Sequence, residues 1–346
     1  MTSFKLYMLG VMKDERGGAL AGALKCILLA LSWIYALAVS VVDKAYASGF
    51  RRTYKSPVPV VSVGNLTLGG TGKTPFTVLL ADHFREEGRR PAVLIRGYGD
   101  DEHRLLRDEL PDTPVFTGKN RVRSAMEASR EDRNILILDD GYQHRKIRRD
   151  ANILLVDGEE MFGNGFLFPR GVLREPAGSA GRADLIVVTK SDRMEEADKE
   201  KVTGILEKFA PGKPVSFARH LPRFLTDVTG EVSSLETLKG QDICAVCGIA
   251  DPAYFGFTLE EAGARVAGRV VFEDHHRYGR KDIDHIAAVC GGMKIVITKK
   301  DHVKMQGLDL SGIEDKLFIL HIAMDLTEGK EKFIAGLDSL VSGTGS

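Results

Sequence analysis

The sequence predicts an α/β protein: a P-loop NTPase-like parallel-sheet domain, a second and smaller α/β domain, and an N-terminal membrane-associated helix. Three observations lead there. Over residues 57–77, PVPVVSVGNLTLGGTGKTPFT, a β-branched strand breaks into a glycine-rich loop at the head of a helix. Apolar strands then alternate with helical stretches along most of the chain, as a parallel sheet with crossover helices requires. Near the start lies a run of 17 residues, 26–42, without a charge.

The glycine-rich loop is read as a phosphate cradle. Gly69, Gly70 and Gly72 have no Cβ, so the backbone can curl with its N–H groups around an anion at the positive end of the following helix. The expected nucleotide contacts are Gly69, Gly70, Thr71, Gly72, Lys73 and Thr74, with Lys73 on the β- and γ-phosphates and the Thr74 hydroxyl on Mg²⁺. The usual spacing would put glycine at position 67, where this chain has Thr67; the nearest upstream glycine is Gly64.

Composition narrows the classes. The chain has 346 residues, with 48 basic and 48 acidic side chains, enough length for two domains with their own cores. Zero formal net charge argues against a general nucleic-acid binder. Four cysteines in a chain this long are not a disulfide framework, and Cys244 and Cys247, three apart on an expected strand, read as core packing rather than a zinc or redox pair.

As a helix the uncharged run would span about 25 Å, short of the roughly 30 Å hydrocarbon core. Lying in or dipping into one leaflet suits it better than a full span, with Lys25, Lys44, Arg51, Arg52 and Lys55 as basic flanks for an anionic surface. A buried core helix is the plainer alternative. A signal peptide cleaved after Ala45-Tyr46-Ala47 fits poorly with a nucleotide site downstream.

After the loop come an expected crossover helix over 76–87 and a strand over 91–95 that runs into Arg96-Gly97-Tyr98-Gly99-Asp100-Asp101-Glu102-His103. Residues 134–141, NILILDDG, have the form of a Walker B strand delivering Asp139 and Asp140, with Asp139 the better Mg²⁺ ligand. Strands at 153–157 and 184–188 flank the glycine-rich segment 162–176, where Arg170 and Arg174 could clamp phosphate. Thr189-Lys190-Ser191-Asp192 echoes the guanine-reading motif of GTPases. The division expected is 1–50 for the apolar helix region, 51–215 for the nucleotide-binding domain, 216–240 for a linker and 241–346 for the smaller domain. In the last, strands are expected at 243–246, 270–272, 295–297 and 317–320, with helices near Leu259 and over 282–289.

Taken in order, GNLTLGGTGKTP, RGYG, LDDGYQHRKIRRD, FGNGFLFPRGVLREP, the DHH after a strand and TKKDHVK resemble the tetraacyldisaccharide 4′-kinase family, the lipid A kinases of Gram-negative bacteria, over almost the whole chain. The resemblance implies transfer of the γ-phosphate of ATP to the 4′-hydroxyl of an acylated glucosamine disaccharide 1-phosphate at the cytoplasmic face of the inner membrane. It implies Lys73, Asp101 and His275 as catalytic residues, with the short D-E segment after RGYG matched to Asp101 and Glu102. Thr74, Asp139 and Asp140 are matched as Mg²⁺ ligands, and Asn65, Glu102, Arg121, Gln143, His144 and Arg174 line the substrate side. Asp100, Asp101 and Glu102 are consecutive acids, so the match could slip by one, and Lys299 stands where the family pattern carries glutamate.

In the mechanism this implies, Asp101 accepts the sugar hydroxyl's proton, His275 holds that carboxylate from the second domain, and Arg121 or Arg174 helps neutralise the transferring phosphoryl group. The competitor from another class is a membrane-associated NTPase or GTPase with a regulatory or transport role, which would hydrolyse nucleotide without phosphorylating a sugar.

Overall fold

The computed structural model describes residues 3–97 and 100–342, so Tyr98 and Gly99 of the RGYG run lie outside the described residues. In chain order the elements are α1 (Ser3–Met12), α2 (Ala19–Ala47), β1 (Val60–Gly64), α3 (Lys73–Glu86), β2 (Pro91–Ile95), α4 (Asp100–Glu109), β3 (Val115–Thr117), α5 (Arg121–Arg130), β4 (Ile135–Leu138), β5 (Ala151–Asp157), β6 (Leu185–Thr189) and α6 (Glu196–Phe209). They continue through β7 (Val215–Thr226), β8 (Val232–Ser233), β9 (Asp242–Cys247), α7 (Pro252–Glu261), β10 (Arg265–Val271), α8 (Arg280–Cys290), β11 (Lys294–Thr298), α9 (Lys299–Met305), β12 (Leu317–Glu328) and α10 (Lys330–Ser342). They form two compact units: Met1–Arg96, Thr113–Arg219 and Leu326–Ser346 make the first, Gly97–Asp112 and His220–Asp325 the second.

In the first unit the strands run β7-β6-β5-β1-β4-β2-β3, every neighbouring pair parallel. β1, β2, β4, β5 and β6 are buried along their whole length, which is why they read as continuous apolar runs rather than alternating ones. One face packs Val60, Leu94, Leu136 and Leu138 with Ala125 and Ala128 of α5. Each such large side chain contributes about 1.5–3 kcal/mol by leaving water. α3 follows the phosphate loop and buries Phe76, Leu80 and Phe84; Phe76 meets Phe333 of α10 edge-on, with ring centroids 5.7 Å apart. That contact, with α10 lying on β5 and β6, returns the C-terminal segment to the first unit, where the sequence division had put it in the second.

In the second unit β10-β9-β11-β12 are again parallel, wrapped by α7 and α8. Segment 97–112, expected in the nucleotide-binding domain, belongs here because α4 packs on α9 and Glu109 pairs with Lys299 at 2.7 Å. The expected linker is structured: Val215–Thr226 is a twelve-residue strand, and β8 pairs antiparallel with its end. Cys244 is bonded to Cys290 as a disulfide, with Cα atoms 5.5 Å apart, while Cys247 stays free and buried. The expectation that the cysteines are unpaired core residues therefore holds for Cys247 and fails for Cys244, since strand β9 and helix α8 bring together residues far apart in sequence.

α2 is longer than the uncharged run, at 29 residues, with a mean hydropathy of 2.1 in its most apolar stretch; by length and composition it could cross a membrane. Only Ala21, Leu28 and Ser32 of it are buried, so it is not a core helix. Trp33, Ile34, Leu37 and Val41 are each more than half exposed. Its inner face is tied down by polar bonds: Ser32 donates to the Leu167 carbonyl at 2.8 Å and Tyr35 to the Arg174 carbonyl at 2.9 Å.

Candidate active site

β1 ends at Gly64, a position where nothing larger fits: a Cβ there would lie 2.6 Å from that of Tyr142. The loop then turns through Gly69 (φ 126°) and Gly72 (φ 75°), both in the region that only glycine enters without strain, and α3 starts at Lys73. Thr67, in the place of the usual glycine, is bridged antiparallel to Leu173. Leu68 N–H donates to Val172 and Arg174 N–H donates to Leu66, each at 2.7 Å. Extended, paired backbone has no need of glycine, so the departure from the usual spacing is a strand-like clamp between the loop and segment 172–174. Asn65 organises the loop base. Its side-chain oxygen accepts from Lys73 at 3.3 Å, its amide reaches the Thr67 hydroxyl at 3.4 Å, and its carbonyl accepts from Gln143 at 2.8 Å.

Opposite, β4 delivers the acidic pair. Asp139 is almost fully buried and accepts from the Thr77 hydroxyl of α3 at 3.0 Å. Burial, and then the charge of Asp140, push its carboxyl up. Asp140 sits at φ 48° and accepts from Arg174 at 3.0 Å through both oxygens, with the Lys73 ammonium 3.7 Å away. Burial alone would push its carboxyl up, but Lys73 and Arg174, with Arg121, outweigh it and hold it below the usual range. Arg121, buried at the head of α5, donates to the Asp140 carbonyl at 3.0 Å. Burial, then Arg121 and Arg149, bring the His144 imidazole down to about 4; its buried Nε2 has no hydrogen-bond partner among the described residues. The first unit thus gathers Asn65, Lys73, Arg121, Asp139, Asp140, Gln143, His144 and Arg174 around the end of β1.

Thr74 lies in the first turn of α3, beside Lys73, and Thr71 is buried with its hydroxyl unpartnered among the described residues. Not every expected residue joins. Arg170 is held by Asp14, with nitrogen–oxygen distances of 2.7 and 3.0 Å, and stacks on Phe166, so it braces the α1–α2 turn instead of clamping phosphate. Lys190 is buried in an ion pair with Asp157 at 2.5 Å, which accounts for it without a guanine base.

The second unit holds a pair of its own. His275 Nδ1 lies 3.1 Å from Asp101 Oδ2. The imidazole is half exposed and the carboxylate mostly buried. Burial pushes the Asp101 carboxyl up, but Lys300 and His275 outweigh it and hold it low. His275 has φ 60°, a strained value for a histidine, and is fixed by its N–H to Asp274 at 3.0 Å; Asp274 in turn accepts from Lys300 at 2.9 Å. Beneath this loop the fully buried Asp301 accepts from Gly248 N–H and the Tyr278 hydroxyl, each at 3.0 Å, and from Lys304 at 3.2 Å. Of the three consecutive acids, Asp101 is the one seen to face the histidine; Glu102 is next on α4, and the side chain of Asp100 lies outside the described residues. Sequence reading quoted Lys300 and Asp301 within TKKDHVK without giving them a role, and missed Thr77 and the α2 residues Ser32 and Tyr35. The second threonine of GKTPFT was the one available signal.

A β-strand, glycine cradle and helix with the loop lysine beside a Walker B carboxylate define a P-loop phosphotransferase. The sequence matches the family described as "Tetraacyldisaccharide-1-P 4'-kinase" over residues 24–342, and the chain belongs to that family. It is a lipid kinase of lipid A biosynthesis, acting on the 4′-position of tetraacyldisaccharide 1-phosphate. It is 37% identical to the tetraacyldisaccharide 4′-kinase of Desulfatibacillum aliphaticivorans over 92% of each chain. With that of Anaeromyxobacter sp. (strain K) it shares 35% identity, over 94% of this chain and 92% of the relative. Its fold is similar to the crystal structure of LpxK from Aquifex aeolicus in complex with ATP, with a TM-score of 0.72 and 30% identity, covering 92% of this chain and 99% of the other. The regulatory NTPase alternative is not favoured by these relationships.

Proposed function

We propose that the phosphoryl donor is ATP with Mg²⁺, that Asp101 is the catalytic base, and that the reaction takes place at the cytoplasmic face of the inner membrane. The observation that carries the base assignment is the Asp101–His275 pair at 3.1 Å, a carboxylate held ionised beside a half-exposed imidazole. A sugar hydroxyl is a weak nucleophile at neutral pH. Its oxygen attacks the γ-phosphorus, its proton passes to the Asp101 carboxylate, and the bond from γ-phosphorus to the β,γ-bridging oxygen breaks with its electrons leaving on ADP. His275 keeps the carboxylate oriented. Lys73, with Arg121 and Arg174 behind the acidic pair, answers the charge on the transferred group.

The donors Asp139, Asp140 and the Thr74 hydroxyl suit a hard divalent cation, which would offset the burial and the neighbouring Asp140 charge that push the Asp139 carboxyl up. When bound, Mg²⁺ would neutralise phosphate charge and orient the γ-phosphoryl group. ATP use is supported by the ATP complex of the Aquifex enzyme. Membrane contact is supported by the exposed apolar face of α2, since an acylated substrate does not leave the bilayer freely.

The test is transfer of label from γ-³²P ATP to tetraacyldisaccharide 1-phosphate in detergent micelles, with Asp101→Asn and Lys73→Ala alongside. Label in the lipid, lost in both variants, supports the reading. Near-full activity of Asp101→Asn would remove Asp101 from the base role.

A further inference from the structure

At the end of the first unit's sheet away from the phosphate loop, where β5 and β6 begin, lies a cleft of about 370 Å³. It is lined by Tyr46 and Ala47 from the end of α2 and by Arg145, Arg148, Arg149 and Arg182, with Asp184 the one carboxylate among them, and it shares no residue with the acidic pair or the phosphate loop. Four guanidiniums in one small cleft repel one another. Only two have a carboxylate within ion-pair distance among the described residues: Arg145 pairs with Asp43 of α2 at 2.7 Å and lies 3.7 Å from Glu175, and Arg182 pairs with Glu175. Arg149 donates only to the carbonyls of Gly141 and Tyr142, at 3.3 and 2.9 Å, and the exposed Arg148 side chain has no partner among the described residues. Burial, and then Arg182 and Arg145, bring Arg149 down to about 10, which is the mark of under-compensated positive charge.

The cleft's place decides what it is for. α2 ends in its wall, and the chain leaving α2 carries Phe50, 87% exposed, followed by Arg51 and Arg52, both exposed. An apolar helix, a protruding aromatic and a basic cleft in immediate succession follow the order of acyl layer, interface and phosphate layer in a membrane surface. We propose that this cleft seats the phosphate of an anionic phospholipid headgroup, with Arg148 and Arg149 supplying the donors that the protein leaves unpaired by carboxylates. The inference rests on the membrane contact proposed above for α2.

The test is flotation of the full chain with vesicles of phosphatidylcholine, with and without a minor fraction of phosphatidylglycerol. It compares the native protein, Arg148→Glu, and Arg52→Glu as an equal charge change outside the cleft. The expectation is tighter binding with phosphatidylglycerol, a roughly tenfold loss of that increment in Arg148→Glu, and a clearly smaller loss in Arg52→Glu. Kinase activity on detergent-dispersed substrate should be unchanged, which verifies folding. Equal losses in the two variants, or none in Arg148→Glu, would overturn the proposal, as would loss of the increment to inorganic phosphate, which would make a free anion the ligand. Equal binding to both vesicles would leave the membrane reading standing and sink only the cleft; binding to neither would sink both.

Discussion

His275 Nδ1 stands 3.1 Å from Asp101 Oδ2, and both residues belong to the unit that does not contain the phosphate loop. Nucleotide-side and base-side groups are therefore separable by mutation. Asp101→Asn is expected to lower kcat by about 10²–10⁴-fold with little change in nucleotide affinity. His275→Ala should lower kcat less, since the carboxylate remains. Steady-state kinetics with fluorescent-nucleotide titration checks this; weakened nucleotide binding in Asp101→Asn would contradict it.

On the nucleotide side, Lys73→Ala should cost about 10²–10³-fold in kcat, the scale of losing one preorganised charge at the transferring group. Because Lys73 and Arg174 together hold Asp140 ionised, Arg174→Ala should also weaken divalent-cation binding, read as a higher Mg²⁺ concentration for half-maximal rate.

Restoring the usual loop glycine should not improve the enzyme. Thr67→Gly loosens backbone paired with Leu173 and should lower stability by about 0.5–1 kcal/mol, visible in urea unfolding. It should also raise KM for nucleotide, because the same pairing positions Arg174.

Acid should destabilise the fold through its buried histidines. His144 and His321 are both brought down from 6.5 to about 4, first by burial. The unfolded chain binds these protons near pH 6.5 and the folded chain only near pH 4, so the stability they confer is complete above 6.5 and is lost as pH falls through that window. Thermal melts should show a falling midpoint from pH 6.5 to 4, with a shallower fall in His321→Phe. An unchanged slope would refute the assignment.

Exposed apolar residues of α2 predict membrane behaviour without disturbing the fold. Ile34→Asp and Leu37→Asp should each reduce vesicle partitioning by about tenfold while leaving the melting midpoint in place. Deleting residues 1–47 is a harsher change, for it also removes the Ser32 and Tyr35 bonds to the 167–174 segment.

Local signals made the first unit legible. β-branched runs bounded by glycine located β1, β2, β4, β5 and β6, and loop chemistry located Lys73, Thr74, Asp139 and Asp140. What escaped was set by distance in the chain. Thr67 reads as a flaw in the loop until Leu173 is beside it, Arg170 reads like Arg174 until Asp14 claims it, and Cys244 reads as core packing beside Cys247 until α8 brings Cys290. The placement of α4 was invisible for the same reason. It follows β2 directly in sequence, but packs on α9 nearly two hundred residues later.

Tyr35 of α2 bonds the carbonyl of Arg174, whose side chain grips Asp140. The exposed apolar helix is thus one residue removed from the grip on the acidic pair. It cannot be exchanged for an arbitrary hydrophobic tag: a graft that kept the enzyme on the bilayer but lacked a hydroxyl at that position would leave the active site without one of its braces.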